Sequence, residues 1–294
     1  LRRSPMEKDI ASTSHSLRAI KVISMHLGKV LMVLTFSLLL GSGLATAAHF
    51  GKGLKAYNSG DYKATLAEWT PLANQGHSLA QYNLGFMYAN GTGVPQNHQT
   101  ALKWYLLSAH QGLSMAQANL GVMYDLGEGV SQNHKTAIDW YTLGAKQGHA
   151  LAQFNLAVMY DNGRGVPQND QLAVKWYTKS AKQGQASAQA HLGIMYDLGE
   201  GVPKNNMTAV KWYTKASEQG HADAQNNLGF KIVTGSGVLS DNRRAYMWWS
   251  LASYNGNEIA GSNKIKLAMQ MGPADIALAQ KFSSRCLGSG YTDC

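Results

Sequence analysis

A period of 36 residues constrains this chain more than any other feature of its sequence. Glycines recur at that step from residue 76 to residue 256, and alanine, leucine and tryptophan recur at the same step at positions of their own. The decamers GVMYDLGEGV, from Gly121, and GIMYDLGEGV, from Gly193, are two copies of one module. A fixed period of this length is typical of repeat architectures. The sequence therefore predicts a stack of similar units.

Each unit reads as two helices separated by a glycine-rich turn. In residues 77–112, alanine, leucine and methionine share one face of the first helix, and the turn NGTGVP follows. Glycine accepts a left-handed backbone and proline cannot continue a helix, so the first helix is expected to end there. Asn97 is predicted to cap the second helix, and Trp104 lies on that helix's apolar face. A helix pair cannot bury such faces alone, so neighbouring units must stack.

The repeated pattern resembles a known family. Its letters, Ala…Leu-Gly-x-Met-Tyr-x-x-Gly-x-Gly-Val-Pro…Ala-x-x-Trp-Tyr…Ala…Gly, are similar to the Sel1-like repeat, a relative of the tetratricopeptide repeat, and five repeats span residues 77–256. The resemblance implies an all-α fold, a right-handed α/α superhelical solenoid. Residues 48–76 resemble a tetratricopeptide-type helix pair. Residues 257–294 are expected to form capping helices, with Pro273 opening the last, and a tail that contains both cysteines.

The leading residues are interpreted as an export segment. From Met25 a short basic start is followed by the apolar run Val30–Leu40 and by small residues, which predicts a signal peptide over 25–47 that is cleaved after Ala47. A membrane anchor is the alternative, but spanning a bilayer needs about 20 apolar residues. Residues 1–24 are left unassigned, and a start at Met25 would account for them. The processed chain is therefore expected in the periplasm or the secreted space.

Charge and cysteine content narrow the class of partner and the compartment. Residues 48–294 hold 20 basic and 15 acidic side chains, and no run of lysine or arginine with interleaved aromatics is visible along the sequence, so nucleic-acid binding is not expected. The only two cysteines are Cys286 and Cys294. In an exported chain such a pair favours a disulfide, here closing the loop CLGSGYTDC, whereas two free thiols are the alternative.

The residues predict no catalytic site, cofactor or metal ion. The Gly-x-Gly pairs recur in five units and follow a helix, whereas a dinucleotide-binding turn follows a strand, so a structural turn is expected. Asp125, Asp161 and Asp197 occupy equivalent positions and should form a row near the ends of the first helices. Stacked helices lie on the order of 10 Å apart, too far for a catalytic carboxylate pair. The histidines that follow three of the period glycines are expected to cap helices or lie at the surface.

Positions that vary between repeats predict where a partner binds. Tyr82, Phe154 and Asn226 occupy one such position on the first helices, which line the concave face in related repeats. The candidate partner-binding site consists of Tyr82, Phe154, Asn226, Asp125, Asp161 and Asp197. The aromatic residues could form shallow pockets or fill gaps between repeats, and the aspartates could meet a basic partner or pair with lysines of adjacent units.

Two further sets of repeated residues are predicted to hold the stack together. The tryptophans at the repeat period are expected to form the core between repeats. Glutamines that never vary are expected to connect neighbouring helices. These glutamines are Gln81, Gln117, Gln153, Gln189 and Gln225.

The function that these features favour is a non-catalytic scaffold that binds a protein or peptide. The alternative is a hydrolase or binder that acts on cell-wall components or β-lactams, as the resemblance to cysteine-rich members of the family implies. Those members carry a cysteine pair in every repeat, which 77–256 lacks, and no nucleophile with a base is apparent. Self-association through the ends is a third hypothesis. The degenerate fifth repeat, where Lys231 and Leu239 break the pattern, is typical of a cap and favours a monomer.

Overall fold

A computed structural model describes residues 42–294, and all regular structure in that part of the chain is helical. His49–Cys294 form one compact unit; of the unit that ends at Ala48, only residues 42–48 are described, as the first turns of α1. The leader and most of the predicted signal peptide therefore lie outside the described residues. The helices are α1 (Ser42–Asn58), α2 (Tyr62–Asn74), α3 (Ser78–Asn90), α4 (His98–His110), α5 (Ser114–Leu126), α6 (His134–Lys146), α7 (Ala150–Asn162), α8 (Asp170–Lys182), α9 (Ala186–Leu198), α10 (Asn206–Ser217), α11 (Ala222–Thr234), α12 (Asn242–Tyr254), α13 (Glu258–Ala268) and α14 (Pro273–Gly288).

The helices pack in consecutive pairs. The two helices of each repeat lie against each other, from α3 with α4 to α11 with α12, and each second helix also packs against the first helix of the next repeat. First helices of adjacent repeats touch as well, as α5 does with α7. Because every helix contacts only its neighbours in the stack, the molecule is a solenoid. The all-α solenoid of helix pairs that the sequence predicts is confirmed.

Polar side chains cap the helices where the sequence predicts them. The Oδ1 atom of Asn97 accepts a hydrogen bond from a backbone N–H at 2.9 Å, and the equivalent asparagines and Asp241 make the same cap. The first helices begin differently, since His77 accepts a backbone N–H at Nδ1 over 3.2 Å, and His149 and His221 do likewise. These histidines therefore satisfy N–H groups that the helix cannot pair itself.

The two glycines of each Gly-x-Gly turn have different structural roles. Gly91 ends α3 in the left-handed conformation, with φ 68°, which only glycine adopts at little cost. The second glycine lies against the preceding repeat. A Cβ atom added to Gly165, whose φ is 71°, would lie 2.7 Å from the Cβ of His134. The motif thus ends one helix and lets adjacent repeats approach closely, as the structural-turn interpretation predicts.

Tyrosines, rather than tryptophans, fill the space between the helices. Tyr105 is 2% exposed, and its ring packs against Gly85, where an added Cβ would lie 2.7 Å from the ring's Cδ1. The tyrosines at the equivalent position of the next three repeats are equally buried. The tryptophan at the neighbouring position is fully buried only in the fifth repeat, as Trp248. The expected tryptophan core is confirmed in part: Trp248 is buried, whereas the indoles of Trp104, Trp140, Trp176 and Trp212 are half-buried and pack against the margins of the core clusters.

The C-terminal helices close the stack. Both α13 and α14 pack against α12, and α14 begins at Pro273, as predicted. Cys286 and Cys294 form the predicted disulfide, with their Cα atoms 4.8 Å apart. Tyr291, between the two cysteines, donates a hydrogen bond from its hydroxyl to Oδ1 of Asn255 at 2.9 Å. The disulfide therefore holds a tail that returns to the end of α12. No helix among residues 42–294 combines the length and apolar character needed to cross a membrane.

Candidate functional site

The first helix of each repeat carries a stripe of side chains that the packing covers only in part. Residues 79, 83, 86 and 90 of α3 lie on one side of that helix, because successive residues turn by about 100°. The equivalent residues of α5, α7, α9 and α11 continue the same surface from repeat to repeat. We call these positions the first-helix stripe.

Apolar side chains occupy much of the first-helix stripe, and two of them are strongly exposed. Leu198 is 50% exposed and Phe230 is 39% exposed, although both are large hydrophobic residues. Leu79, Phe86 and Met115 are half-buried on the same stripe. Contiguous apolar surface that a monomer leaves uncovered marks a site of interaction. The stripe therefore offers apolar contacts along the length of the stack.

Asparagines occupy the second position of the stripe in four of the five repeats. Asn83 is 7% exposed and Asn155 is 3% exposed. Among the described residues, neither amide atom of Asn155 has a hydrogen-bond partner, and Nδ2 of Asn83 has none. Nearly all buried polar atoms in folded proteins are hydrogen-bonded, and a buried amide without a partner costs about 1–3 kcal/mol. These amide atoms are enclosed by the packed repeats, so a ligand at the surface does not reach them.

Three residues of the candidate partner-binding site lie one position before this row. Tyr82 is half-buried, and its ring centroid lies 5.8 Å from that of Tyr105. Phe154 is 5% exposed and meets the ring of His191 edge-on at 5.5 Å. Asn226 is 8% exposed, and its backbone oxygen accepts a hydrogen bond from an indole N–H. All three make contacts inside the protein, so their part in binding a partner stays a prediction.

The first aspartate of the predicted row is buried and neutralised. Asp125 is 3% exposed, and its Oδ1 atom pairs with the guanidinium of Arg164, which comes from the next repeat. The imidazole of His134 lies 2.9 Å from the same oxygen. Breaking a buried ion pair leaves an uncompensated charge and is strongly destabilising. Asp125 therefore joins two repeats, and its charge is matched within the stack.

The other two aspartates also have partners within the stack. Oδ2 of Asp161 accepts a hydrogen bond from the hydroxyl of Tyr177 at 3.1 Å. Burial raises the pKa of Tyr177 well above its ordinary value, and the nearby carboxylate raises it further, so this phenol stays protonated and donates. Asp197 pairs with the ammonium group of Lys231 in the following repeat. Pairing with cations of an adjacent unit, one of the two interpretations from sequence, describes Asp125 and Asp197.

Buried glutamines connect the repeats. Gln153 is 4% exposed, donates from Nε2 to the carbonyl oxygen of Ala145 at 3.1 Å, and accepts at Oε1 from Nε2 of Gln183 at 2.7 Å. The predicted connection between neighbouring helices is confirmed in all five repeats. In the fifth repeat, Asn255 replaces the second glutamine. Because the same hydrogen bonds recur between every pair of adjacent repeats, the first helices that carry the stripe keep the same spacing along the stack.

Burial strongly lowers the pKa of one capping histidine, His149. The pKa falls to about 4, because the charged imidazolium loses its hydration when the ring is buried. The neutral ring can accept the backbone N–H of Ala152 at Nδ1, 3.3 Å away. This histidine is a structural cap at neutral pH. Elsewhere in residues 42–294, no group of three or more histidine, cysteine, aspartate or glutamate side chains is arranged to hold a metal ion.

The arrangement of five helix pairs, each with the same turn, bridge and caps, agrees with a family model. The model of the Sel1 repeat matches residues 78–113, 114–149, 150–185, 186–221 and 222–257. The chain belongs to the Sel1 repeat family. Each Sel1 repeat begins one residue later than the register read from the glycine period.

One solved structure of the same family agrees with this assignment, and two others are less similar. A Sel1 repeat protein from Oxalobacter formigenes superposes with a TM-score of 0.68 and is 34% identical, over 72% of this chain and 84% of that chain. A protective antigen present in uropathogenic Escherichia coli strains has a TM-score of 0.49 and 24% identity, over 84% of this chain and 70% of that one. An immunity protein from Pseudomonas aeruginosa has a TM-score of 0.45 and 20% identity, over 73% and 83%. No curated protein matches the sequence.

Proposed function

We propose that this Sel1 repeat protein is a non-catalytic scaffold of the bacterial envelope or secreted space, which binds a protein or peptide along the first-helix stripe. Sel1 repeat proteins generally act in protein–protein interaction, and the disulfide Cys286–Cys294 is in keeping with an oxidising, exported location. The observation that carries the proposal is the composition of the stripe. Large apolar side chains are exposed on its fourth and fifth repeats, at Leu198 and Phe230.

An extended peptide fits this composition. Asn90 and Asn162 are exposed at the last position of the stripe, and a side-chain amide offers one acceptor and two donors, which match the N–H and C=O groups of a peptide backbone. Leu198 and Phe230 can hold apolar side chains of the peptide on the same stripe, and such anchors dominate the energy of interfaces. Tyr82, Phe154 and Asn226 remain the proposed determinants of specificity, because they vary between repeats.

Affinity capture from envelope and culture fractions tests the proposed face. The bait is residues 48–294, compared with a variant that carries Leu198→Glu and Phe230→Glu. A matched control carries Ile259→Glu and Ile265→Glu, since these isoleucines are both 57% exposed but lie on the capping helix α13. We expect a protein that the unaltered bait and the control retain and the stripe variant loses. Equal retention by all three baits would place the partner on another surface.

A second variant separates binding from folding. Asn162→Ala removes an exposed amide of the stripe. If this amide serves a ligand, Asn162→Ala changes the free energy of unfolding by less than about 0.5 kcal/mol, while the captured protein is lost. A fall in the free energy of unfolding would instead assign the side chain a structural role. Urea unfolding of the variant, alongside the capture, measures both outcomes.

A further inference from the structure

A second surface of the molecule is defined by the outer sides of four second helices. On α4, residues 99, 103, 107 and 110 lie on one side of the helix and face away from its packed positions. The equivalent residues of α6, α8 and α10 continue that side. We call these positions the lysine face. Its basic residues are Lys103, Lys135, Lys146, Lys175, Lys179, Lys182, Lys211 and Lys215.

The lysine face concentrates the positive charge of the exported chain. Its eight lysines are exposed and are accompanied by two acidic residues, Asp139 and Glu218. The rest of residues 48–294 contains 12 basic and 13 acidic side chains, so this face has a net charge of +6 and the rest has −1. Among the described residues none of these lysines pairs with a carboxylate, whereas Asp125 and Asp197 are matched by cations of the stack. The face therefore carries uncompensated charge.

Apolar and aromatic side chains are interspersed with these lysines. Leu107, Leu143 and Met207 occupy positions of the lysine face and are 49%, 45% and 70% exposed. The ammonium of Lys179 lies 4.5 Å from the ring centroid of the half-buried Trp176. Lysine combined with tryptophan and leucine on one face is typical of surfaces that rest in the headgroup region of a membrane.

We propose that the lysine face docks the protein on an anionic phospholipid surface. The charge complementarity is direct, because each lysine near such a surface strengthens binding by a factor of about five. The lysines are spread over four repeats rather than focused in one pocket, which suits a laterally continuous charge better than a single acidic peptide. Docking through second helices leaves the first-helix stripe free, so this interaction is independent of the protein partner proposed above.

Vesicle sedimentation tests the proposal with two charge-matched variants of residues 48–294. This fragment includes the compact unit His49–Cys294, which contains all the described core clusters. The first variant carries Lys175→Glu, Lys179→Glu, Lys211→Glu and Lys215→Glu. The control carries Lys52→Glu, Lys63→Glu, Lys266→Glu and Lys281→Glu, four exposed lysines outside the face. The vesicles contain phosphatidylcholine with or without about one third phosphatidylglycerol. Both variants have the same net charge, so a difference between them reports the face itself.

We expect the unaltered protein to bind the anionic vesicles and to release them as salt rises above about 0.1 M, where the Debye length falls below about 10 Å. The first variant should lose at least about tenfold in partition coefficient, and the control should stay within about twofold. Equal losses in both variants, or equal binding to neutral vesicles, would overturn the proposal. Absence of binding by the unaltered protein would overturn it too. The salt series on the unaltered chain keeps the test valid if a variant fails to fold, which circular dichroism checks.

Discussion

The first four repeats and the fifth use the same positions for different chemistry. At the position of Met195, buried in the fourth repeat, the fifth has Lys231, which reaches back to Asp197. Where the earlier repeats have a core tyrosine, the fifth has Trp249, whose Nε1–H donates to a backbone oxygen of α11 at 3.0 Å. An inner repeat must fit two neighbours of its own kind, so its contacts are repeated, whereas the last repeat meets α13 and α14 and can depart from the pattern.

The difference between the inner repeats and the fifth repeat shows how the stack of helices ends. On α12 the outer side is covered, since Met247 and Leu251 are buried there, whereas Leu143 at the equivalent position of α6 is exposed. At the end of the stack, α14 covers the outer side of α12, a side that the second helices of inner repeats leave exposed. Changes at inner seams should therefore destabilise the whole array, and changes at the end should stay local. Four predictions test that comparison.

The largest effect is expected at an inner seam. Gly165→Ala places a Cβ in a left-handed residue and 2.7 Å from the Cβ of His134, so we expect a loss of about 3–4 kcal/mol in the free energy of unfolding. Gly148→Ala is the control, because its φ is 90° but nothing lies within 4 Å of the added Cβ. It should lose only about 1 kcal/mol. Urea unfolding measures both, and equal losses would mean that the seam has no close approach.

The next effect is expected at the end of the stack. Cys286→Ser with Cys294→Ser, or reduction, opens a loop with a sequence separation of 8 and should cost about 2–3 kcal/mol. Because Tyr291 is held inside that loop, we expect amide hydrogen exchange to accelerate in α14 and the tail. Exchange in α5–α8 should stay unchanged. Equal acceleration in those inner helices would contradict a local role for the disulfide.

A smaller effect on the free energy of unfolding is expected from pH, because His149 caps the helix α7 only while its ring is neutral. The pKa of His149 is about 4 in the folded state against 6.5 in the unfolded chain, so the folded state binds fewer protons. The stability that the neutral histidine contributes is therefore complete above pH 6.5 and is lost as pH falls toward 4. We expect about 1–2 kcal/mol over this window, because the ring is partly exposed.

The replacement His149→Asn keeps a cap but removes this titration, so the stability of that variant should fall less between neutral and acidic pH. The terminal helix α13 already has such a cap, since Asn257 accepts the N–H of Ala260 at 2.8 Å. Urea unfolding across the pH range measures the difference. An unchanged pH slope in the variant would show that His149 does not control it.

The smallest effect concerns the substitution that marks the fifth repeat. Lys231→Met restores the inner-repeat residue and removes the ion pair with Asp197, so we expect a loss of about 1 kcal/mol. The loss should shrink in an Asp197→Asn background, and a double-mutant cycle gives the coupling between the two residues. If Lys231→Met stabilises the protein in both backgrounds, the fifth repeat behaves as an inner one at this position.

Local signals allowed much of the architecture to be predicted. The cap at Asn97, the start of α14 at Pro273 and the end of α3 at Gly91 depend on residues close in sequence, so spacing was sufficient. The core was less predictable. Trp104 and Tyr105 are adjacent on one helix, and only the close approach of Gly85 places the tyrosine ring inside. An apolar pattern alone does not rank two neighbouring aromatics.

The candidate site was also predictable only in part from the sequence. Variation between repeats pointed to the first helices, but it did not reveal that Asp125 is paired with Arg164, which lies 39 residues further along the chain. Nor did it reveal the lysine face, because its lysines are spread over four helices of different repeats. The missed signal was the helical position of each lysine relative to the packed side of its helix.

By itself, the sequence determined the period, the helix pairs, their caps and the structural turn, because each depends on short-range backbone chemistry repeated at a fixed step. The disulfide was predictable because its two cysteines are close in sequence. Only the tertiary structure decided which aromatic residues are buried, which charges are matched and which faces stay open. Those properties depend on the register between helices from different repeats. That register is set by close contacts, such as Gly165 on His134, and by bridges, such as Gln153 to Ala145.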